Sequence, residues 1–64
     1  MTIMEITNKK NGVKLEVEFF NNVHEARQRA IRITGYAGYL DFVKDSDGDI
    51  HASNKKYSVD LIVA

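Results

Sequence analysis

A single segment of this chain has helical periodicity, and strand-like segments lie on both sides of it. Residues 22–35 place their apolar and small side chains at helical spacing, while the flanking segments alternate apolar and polar residues. One amphipathic helix covers only one face of a sheet, because each element buries its apolar side against another. We therefore expect the other face of the sheet to lack a partner within the chain.

The length of the chain limits the stability that its core can supply. The 64 residues contain no cysteine, which leaves neither a disulfide framework nor a thiolate metal site. A core in a domain of this size rarely yields more than about 3–5 kcal/mol of net stability. We therefore predict one domain, residues 1–64, that gains further stability by forming a homodimer.

The charge balance argues against a dedicated nucleic-acid binder. Nine acidic and nine basic residues give a formal net charge of zero, whereas phosphate contacts normally require a basic excess. Residues 1–5 show neither a basic segment nor a long apolar run, so a signal peptide and a membrane span are not expected. The predicted location is the cytoplasm.

The strand-like segments predict an antiparallel sheet. Residues 2–7 and 13–19 form a hairpin around Asn11 and Gly12, and residues 13–19 alternate apolar and charged side chains without exception. Residues 39–43 form a third strand, and a turn at 45–49 leads to a last strand over 50–63 that a bulge or turn at 54–56 can divide. The predicted fold is α+β: a four-stranded β-β-α-β-β sheet with one helix packed on one face.

The helix has recognisable signals at both ends. Asn22 is the expected N-cap, and Glu25 three residues later makes a pair that resembles a capping box. Gly35 can end the helix in the left-handed conformation, with Gly38 as the alternative end. The face expected to lie on the sheet consists of Val23, Ala26, Ala30, Ile33 and Thr34.

Strand alternation assigns the apolar side chains to two faces of the sheet. The set predicted to face the helix is Met4, Ile6, Val13, Leu15, Val17, Phe19, Leu40, Phe42, Tyr57, Val59, Leu61 and Val63. Five apolar residues of the opposite parity are predicted to form a partner-binding patch: Ile3, Phe20, Tyr39, Val43 and Ile62. Contiguous exposed apolar patches mark interaction sites. The alternative is that strand twist scatters these residues or that residues 54–56 cover them.

His24 and His51 are the only histidines available for acid–base, nucleophilic or metal-binding roles. His24 falls in the first turn of the helix, where a surface position is expected. His51 follows the acidic turn, and we expect it to pair with Asp49 or Asp41. Two histidines without cysteine do not make a structural zinc site.

The acidic turn resembles a calcium-binding loop only in part. An EF-hand loop requires glycine at its sixth position and a bidentate glutamate at its twelfth. Counted from Asp45, these positions hold Ile50 and Lys56. We therefore expect neither a metal nor another cofactor, and no enzymatic activity.

A nucleic-acid-binding surface is the alternative function. Its cations would be the helix arginines Arg27, Arg29 and Arg32 together with the loop lysines Lys9, Lys10, Lys55 and Lys56. Its stacking aromatics would be Phe20, Tyr36 and Tyr39.

Residues 20–30, 38–42 and 47–50 resemble small phage-encoded accessory proteins. Several anti-CRISPR inhibitors share this plan of a short helix with the pattern "EA–R–A", a strand and an Asp-Gly hairpin. The resemblance extends over residues 13–50. It implies a non-catalytic protein that binds and blocks another macromolecule, so we expect an interaction protein that is a homodimer or an inhibitor of a protein complex.

Overall fold

The computed structural model describes residues 1–64 as one antiparallel sheet with a helix on one side. The elements are β1 (Thr2–Asn8), β2 (Lys14–Phe20), α1 (Val23–Thr34), a 3-10 helix (Gly35–Ala37), β3 (Val43–Lys44), β4 (Ile50–Ser53) and β5 (Tyr57–Val63). The strand order is β2-β1-β5-β4-β3, and all pairs are antiparallel. The predicted α+β class with one α-helix on the sheet is confirmed, but the sheet has five strands instead of four.

The fifth strand exists because Asn54 divides the predicted last strand. Its side-chain oxygen accepts the backbone N–H groups of Lys56 and Tyr57 at 3.1 and 3.0 Å, which closes the turn between β4 and β5. Its side-chain amide donates to the carbonyl groups of Thr34 and Gly38 at 2.9 and 3.0 Å. One asparagine therefore forms the turn and attaches it to the end of the helix.

The α-helix begins where the capping signals predict and ends at Thr34, with Gly35 as its C-cap. The Asn22 side chain accepts the N–H of Glu25 at 2.9 Å and its amide donates to the Glu25 carboxylate at 3.3 Å. Gly35 is right-handed, with φ −62°, so its expected left-handed conformation is wrong. The chain continues as a 3-10 helix until Gly38, whose φ of +126° is readily adopted only by glycine.

The core lies between α1 and the central strands β1 and β5. Its buried apolar residues are Met4, Ile6, Ala26, Ala30, Leu40, Ala52, Val59 and Leu61. The two helix alanines let the helix backbone approach the sheet closely, and the buried Thr34 hydroxyl donates to the Ala30 carbonyl at 2.8 Å. No helix has the length and apolar character that crossing a membrane requires.

The predicted orientation of β2 is wrong. Thr2 and Met4, which are buried on the helix side, stand opposite Phe20 and Glu18. Phe19 stands opposite Ile3 and therefore points away from the helix. The apolar β2 set predicted to face the helix is instead exposed: Val13, Leu15, Val17 and Phe19.

The reversal follows from the position of β2 at the edge of the sheet. Phe19 and Phe20 are adjacent, so either can point inward, and Phe20 is the one that packs against the core. Glu16 and Glu18 then share its side, where Arg29 of the helix lies 3.8 and 3.4 Å from their carboxylates. Apart from Phe20, an ion-paired border therefore takes the place of apolar packing between α1 and β2.

The segment after the 3-10 helix is less regular than predicted. Residues 39–42 form no strand, and β3 is confined to Val43–Lys44. Leu40 is nevertheless buried and Phe42 packs against the core, so their predicted inward orientation is confirmed. Val63, predicted for the same face, is exposed near the end of β5.

The cap at Asn22 provides a test of the helix start. Asn22→Ala should lower the free energy of unfolding by about 0.5–2 kcal/mol, because the N–H of Glu25 loses its acceptor. Urea denaturation measures the change. Asn21→Ala is the matched control and should have little effect. Equal losses of unfolding free energy in both variants would mean that the loss does not come from the Asn22 cap.

The corrected orientation of β2 gives opposite expectations for two aliphatic residues. Leu61→Ala should cost about 2–5 kcal/mol, because it leaves a cavity under the helix. At concentrations where the chain is monomeric, Val17→Ala should cost less than about 1 kcal/mol, because the Val17 side chain is on the open side. Urea denaturation separates the two, and a loss for Val17→Ala as large as that for Leu61→Ala would contradict the register.

Candidate functional site

The side of the sheet opposite α1, here called the open face, has no covering element. At one corner it carries four apolar side chains from three neighbouring strands, here called the apolar corner: Val17, Phe19, Ile3 and Ile62. Leu15 is exposed at the register shift farther along β2. Phe19, Ile3 and Ile62 stand opposite one another in register across β2, β1 and β5. Phe19 is 62% exposed and Val17 is 51% exposed. Side chains in such cross-strand rows touch, so the corner is a contiguous apolar surface.

The apolar corner adjoins an unpaired strand edge. β2 is an outer strand of seven residues, whereas β3 at the other edge has only two. Short strands, bulges and charges protect sheet edges from pairing. β2 has a register shift opposite Ile6 and Thr7 and an ion pair between Lys14 and Glu5. The rest of the β2 edge offers backbone donors and acceptors beside exposed apolar side chains.

The predicted partner-binding residues do not form one patch. Ile3, Ile62 and Val43 lie on the open face, as the β1, β5 and β3 registers show. Phe20 lies on the helix side against the core. Tyr39 is 85% exposed in the segment before β3 and belongs to no strand. The placement of Phe20 and Tyr39 on the open face is therefore wrong.

The sequence prediction missed the most exposed members of the apolar corner. Val17 and Phe19 belong to an alternating row in the sequence, but that row is predicted to face the helix. Alternation shows that a strand has one apolar face without showing which face the helix covers. The informative signal is charge on the helix side, since Glu16 and Glu18 are opposite in charge to Arg29 and form ion pairs with it.

A histidine–carboxylate cluster occupies the open face beside β3. His51 stands opposite Asp60 in register, and its Nδ1 lies 2.6 Å from the Asp60 carboxylate. Its Nε2 lies 2.6 Å from the carboxylate of Asp45 in the turn before β4. The predicted pairing with Asp49 or Asp41 is wrong, because the Asp49 carboxylate accepts the N–H of Val63.

The cluster favours a charged imidazole. Hydrogen bonds to Asp60 and then Asp45 raise the pKa of His51, and the hydrogen bond from His51 lowers the pKa of Asp45. Because each ring nitrogen has a carboxylate partner, the imidazole attaches the turn before β4 to β5. No group of three or more His, Cys, Asp or Glu side chains is arranged to hold a metal ion.

The helix arginines of the alternative function differ in their surroundings. Arg29 is paired with Glu16 and Glu18, and the Arg27 guanidinium lies 5.0 Å from the centre of the Phe42 ring. Arg32 and Phe20 line a shallow depression of about 270 Å³ together with His24, Glu25, Gln28 and Arg29. The arginines therefore do not form a single unpaired cationic face.

No family model matches the chain, and comparisons with curated proteins and with solved structures find no match. Function must be inferred from the surfaces of the molecule itself. The apolar corner is the surface that combines exposed apolar side chains with an unpaired strand edge.

The His51 cluster predicts a pH-dependent stability. Because the pKa of His51 is raised in the folded protein, His51 contributes stability at pH values below its pKa of 6.5 in the unfolded chain. This stability is lost as the pH rises through the pKa of the folded protein. The lowered pKa of Asp45 adds stability at pH values above 3.8, the ordinary pKa of this carboxyl group, and this stability is lost as the pH falls through the pKa of the folded protein. His51→Gln should therefore be most destabilising between about pH 4 and 6.5 and less so at about pH 9.

Urea denaturation of both proteins across this range measures the effect. His24→Gln is the matched control, because the exposed His24 takes part in no ion pair. A stability difference between the parent and His51→Gln that stays constant from acid to alkaline pH would contradict the assignment.

Proposed function

We propose that the chain is a non-enzymatic interaction protein that binds through its apolar corner, and that its first partner is a second copy of itself. The observation that carries the proposal is the exposure of Leu15, Val17 and Phe19 beside the unpaired edge of β2. Exposed apolar surface of this kind marks protein-binding sites. A small core makes association a useful source of stability.

The size of the molecule is compatible with such an interface. A stable interface buries about 800 Å² on each partner, which is about one fifth of the 4251 Å² surface of this chain. Burying a phenylalanine or valine side chain contributes about 1.5–3 kcal/mol. The side chains of the apolar corner therefore supply enough apolar contact to offset part of the cost of association.

Pairing of two β2 edges brings the two apolar corners together. In an antiparallel pair centred on Val17, the two Val17 side chains stand opposite each other, and the Phe19 side chains lie on the same side of a continuous sheet. On the helix side, Glu16 then stands opposite the partner's Glu18. Arg29 already lies beside both carboxylates of its own chain and reduces this repulsion.

The resemblance to phage-encoded accessory proteins extends the proposal to a cytoplasmic inhibitor that binds and blocks or bridges a protein complex. The apolar corner supplies a surface that such an inhibitor needs. The class of target comes from the resemblance alone.

Self-association is tested by sedimentation equilibrium over a range of micromolar concentrations. We expect a species of twice the chain mass of 7.3 kDa, because pairing of the two β2 edges brings the apolar corners of the two copies into contact. Phe19→Lys and Val17→Lys should give the monomer with an unchanged circular dichroism spectrum, since neither side chain belongs to the core.

Tyr39→Lys is the matched control, because Tyr39 is exposed but lies off the sheet. It should dimerise like the parent. A parent protein that remains monomeric at several hundred micromolar would contradict the proposed partner. Lysine variants that dimerise normally would show that the interface lies elsewhere.

A further inference from the structure

Four lysines meet at the end of the sheet where β1 ends and β5 begins, and they are here called the lysine corner: Lys9, Lys10, Lys55 and Lys56. They line a concavity of about 560 Å³ together with Asn8 and Tyr57. No carboxylate lines this concavity. The balanced net charge of the chain therefore conceals a locally positive surface.

The sheet brings the two lysine pairs together from distant parts of the sequence. Asn8 at the end of β1 stands opposite Tyr57 at the start of β5. The backbone N–H of Lys9 donates to the carbonyl of Lys56 at 2.9 Å, and its Nζ donates to the carbonyl of Asn54 at 3.0 Å. The backbone of the corner is therefore fixed by strand pairing.

The cations of the lysine corner are not neutralised within the chain. Lys14 and Arg29 each have a carboxylate within 4.0 Å, but none of the four corner lysines does. Like charges that gather without counter-charges raise the local potential and attract anions. The corner therefore suits a ligand that carries several negative charges.

An exposed aromatic ring adjoins these charges. Tyr36 is 71% exposed, and its hydroxyl is hydrogen-bonded to that of Tyr57, which meets it edge-on at 5.9 Å between ring centres. The Lys56 Nζ lies 5.5 Å from the centre of the Tyr36 ring. Lys55 and Lys56 also line a neighbouring depression that includes Tyr36. Positive charge beside a stacking surface is the combination that single-stranded nucleic acids bind.

We propose that the lysine corner binds the phosphates of a single-stranded nucleic acid and that Tyr36 stacks on one of its bases. This site is separate from the apolar corner, which lies on the open face near the other end of β1. An anionic membrane fits less well, because Tyr57 is the only apolar or aromatic side chain that lines the concavity and none is aliphatic.

The test uses fluorescence anisotropy with a fluorescein-labelled oligothymidylate of about 12 nucleotides, a length within the usual range of single-strand sites. The logarithm of the binding constant should fall with the logarithm of salt concentration with a slope of about −0.7 per phosphate contact, or about −3 for four lysines. The double variant Lys10→Glu with Lys55→Glu should weaken binding at least about tenfold and reduce the slope by about half.

A charge-matched control separates the corner from the helix. The double variant Lys44→Glu with Arg32→Glu changes the net charge equally, but its residues lie on β3 and α1. It should retain most of the affinity. Tyr36→Leu should weaken binding about fivefold or more, whereas Tyr36→Phe, which keeps the ring, should not.

Each outcome decides for or against the site, provided that circular dichroism shows the variants to be folded. Retained binding in the control with loss in the corner variant supports it. Equal losses in both double variants would overturn it in favour of a diffuse charge effect or the helix arginines. Binding to vesicles of anionic phospholipid without binding to the oligonucleotide, or no binding at about 50 mM salt, would also overturn it.

Discussion

The coverage of the sheet by a single helix determines the arrangement of the molecule. The 12 residues of α1 lie over the central strands, where Met4, Ile6, Val59 and Leu61 are fully buried. The outer strand β2 lies beyond this coverage, so apolar side chains on its helix side would remain partly exposed to water. β2 instead presents glutamates to the helix margin and directs its apolar row to the open face. The apolar corner is therefore a consequence of a helix that covers only the middle of the sheet.

Local signals in the sequence predicted β1, β2 and α1 closely, and the uncovered face was expected from the count of one helix against one sheet. Asn22 and Glu25 identify the helix start because a cap is a contact within one turn. The orientation of β2 was not predictable from alternation, which has the same form whichever side is covered. Adjacent Phe19 and Phe20 made both orientations plausible, and only the pairing with β1 distinguishes them.

Contacts between distant segments were the least accessible from the sequence. His51 meets Asp60 because the turn at Asn54 makes β4 and β5 antiparallel neighbours. Without knowledge of that turn, the sequence predicts Asp49 or Asp41 as the partner instead. The lysine corner has the same origin, since strand pairing joins segments that the sequence separates. The sequence suggests the four lysines as possible cations of one surface, but not that strand pairing brings them together apart from the helix arginines.

The two proposed surfaces occupy opposite ends of β1. Ile3 belongs to the apolar corner, whereas Lys9 follows the last residue of the strand, and at about 3.4 Å per residue the two are separated by roughly 20 Å. A dimer formed through the apolar corner therefore leaves a lysine corner accessible on each copy. Two such sites on one particle can bind the same strand together, which raises the effective affinity without any new contact. Association of the chain and binding of an anion are thus physically compatible, because burial of apolar surface drives the first and charge the second.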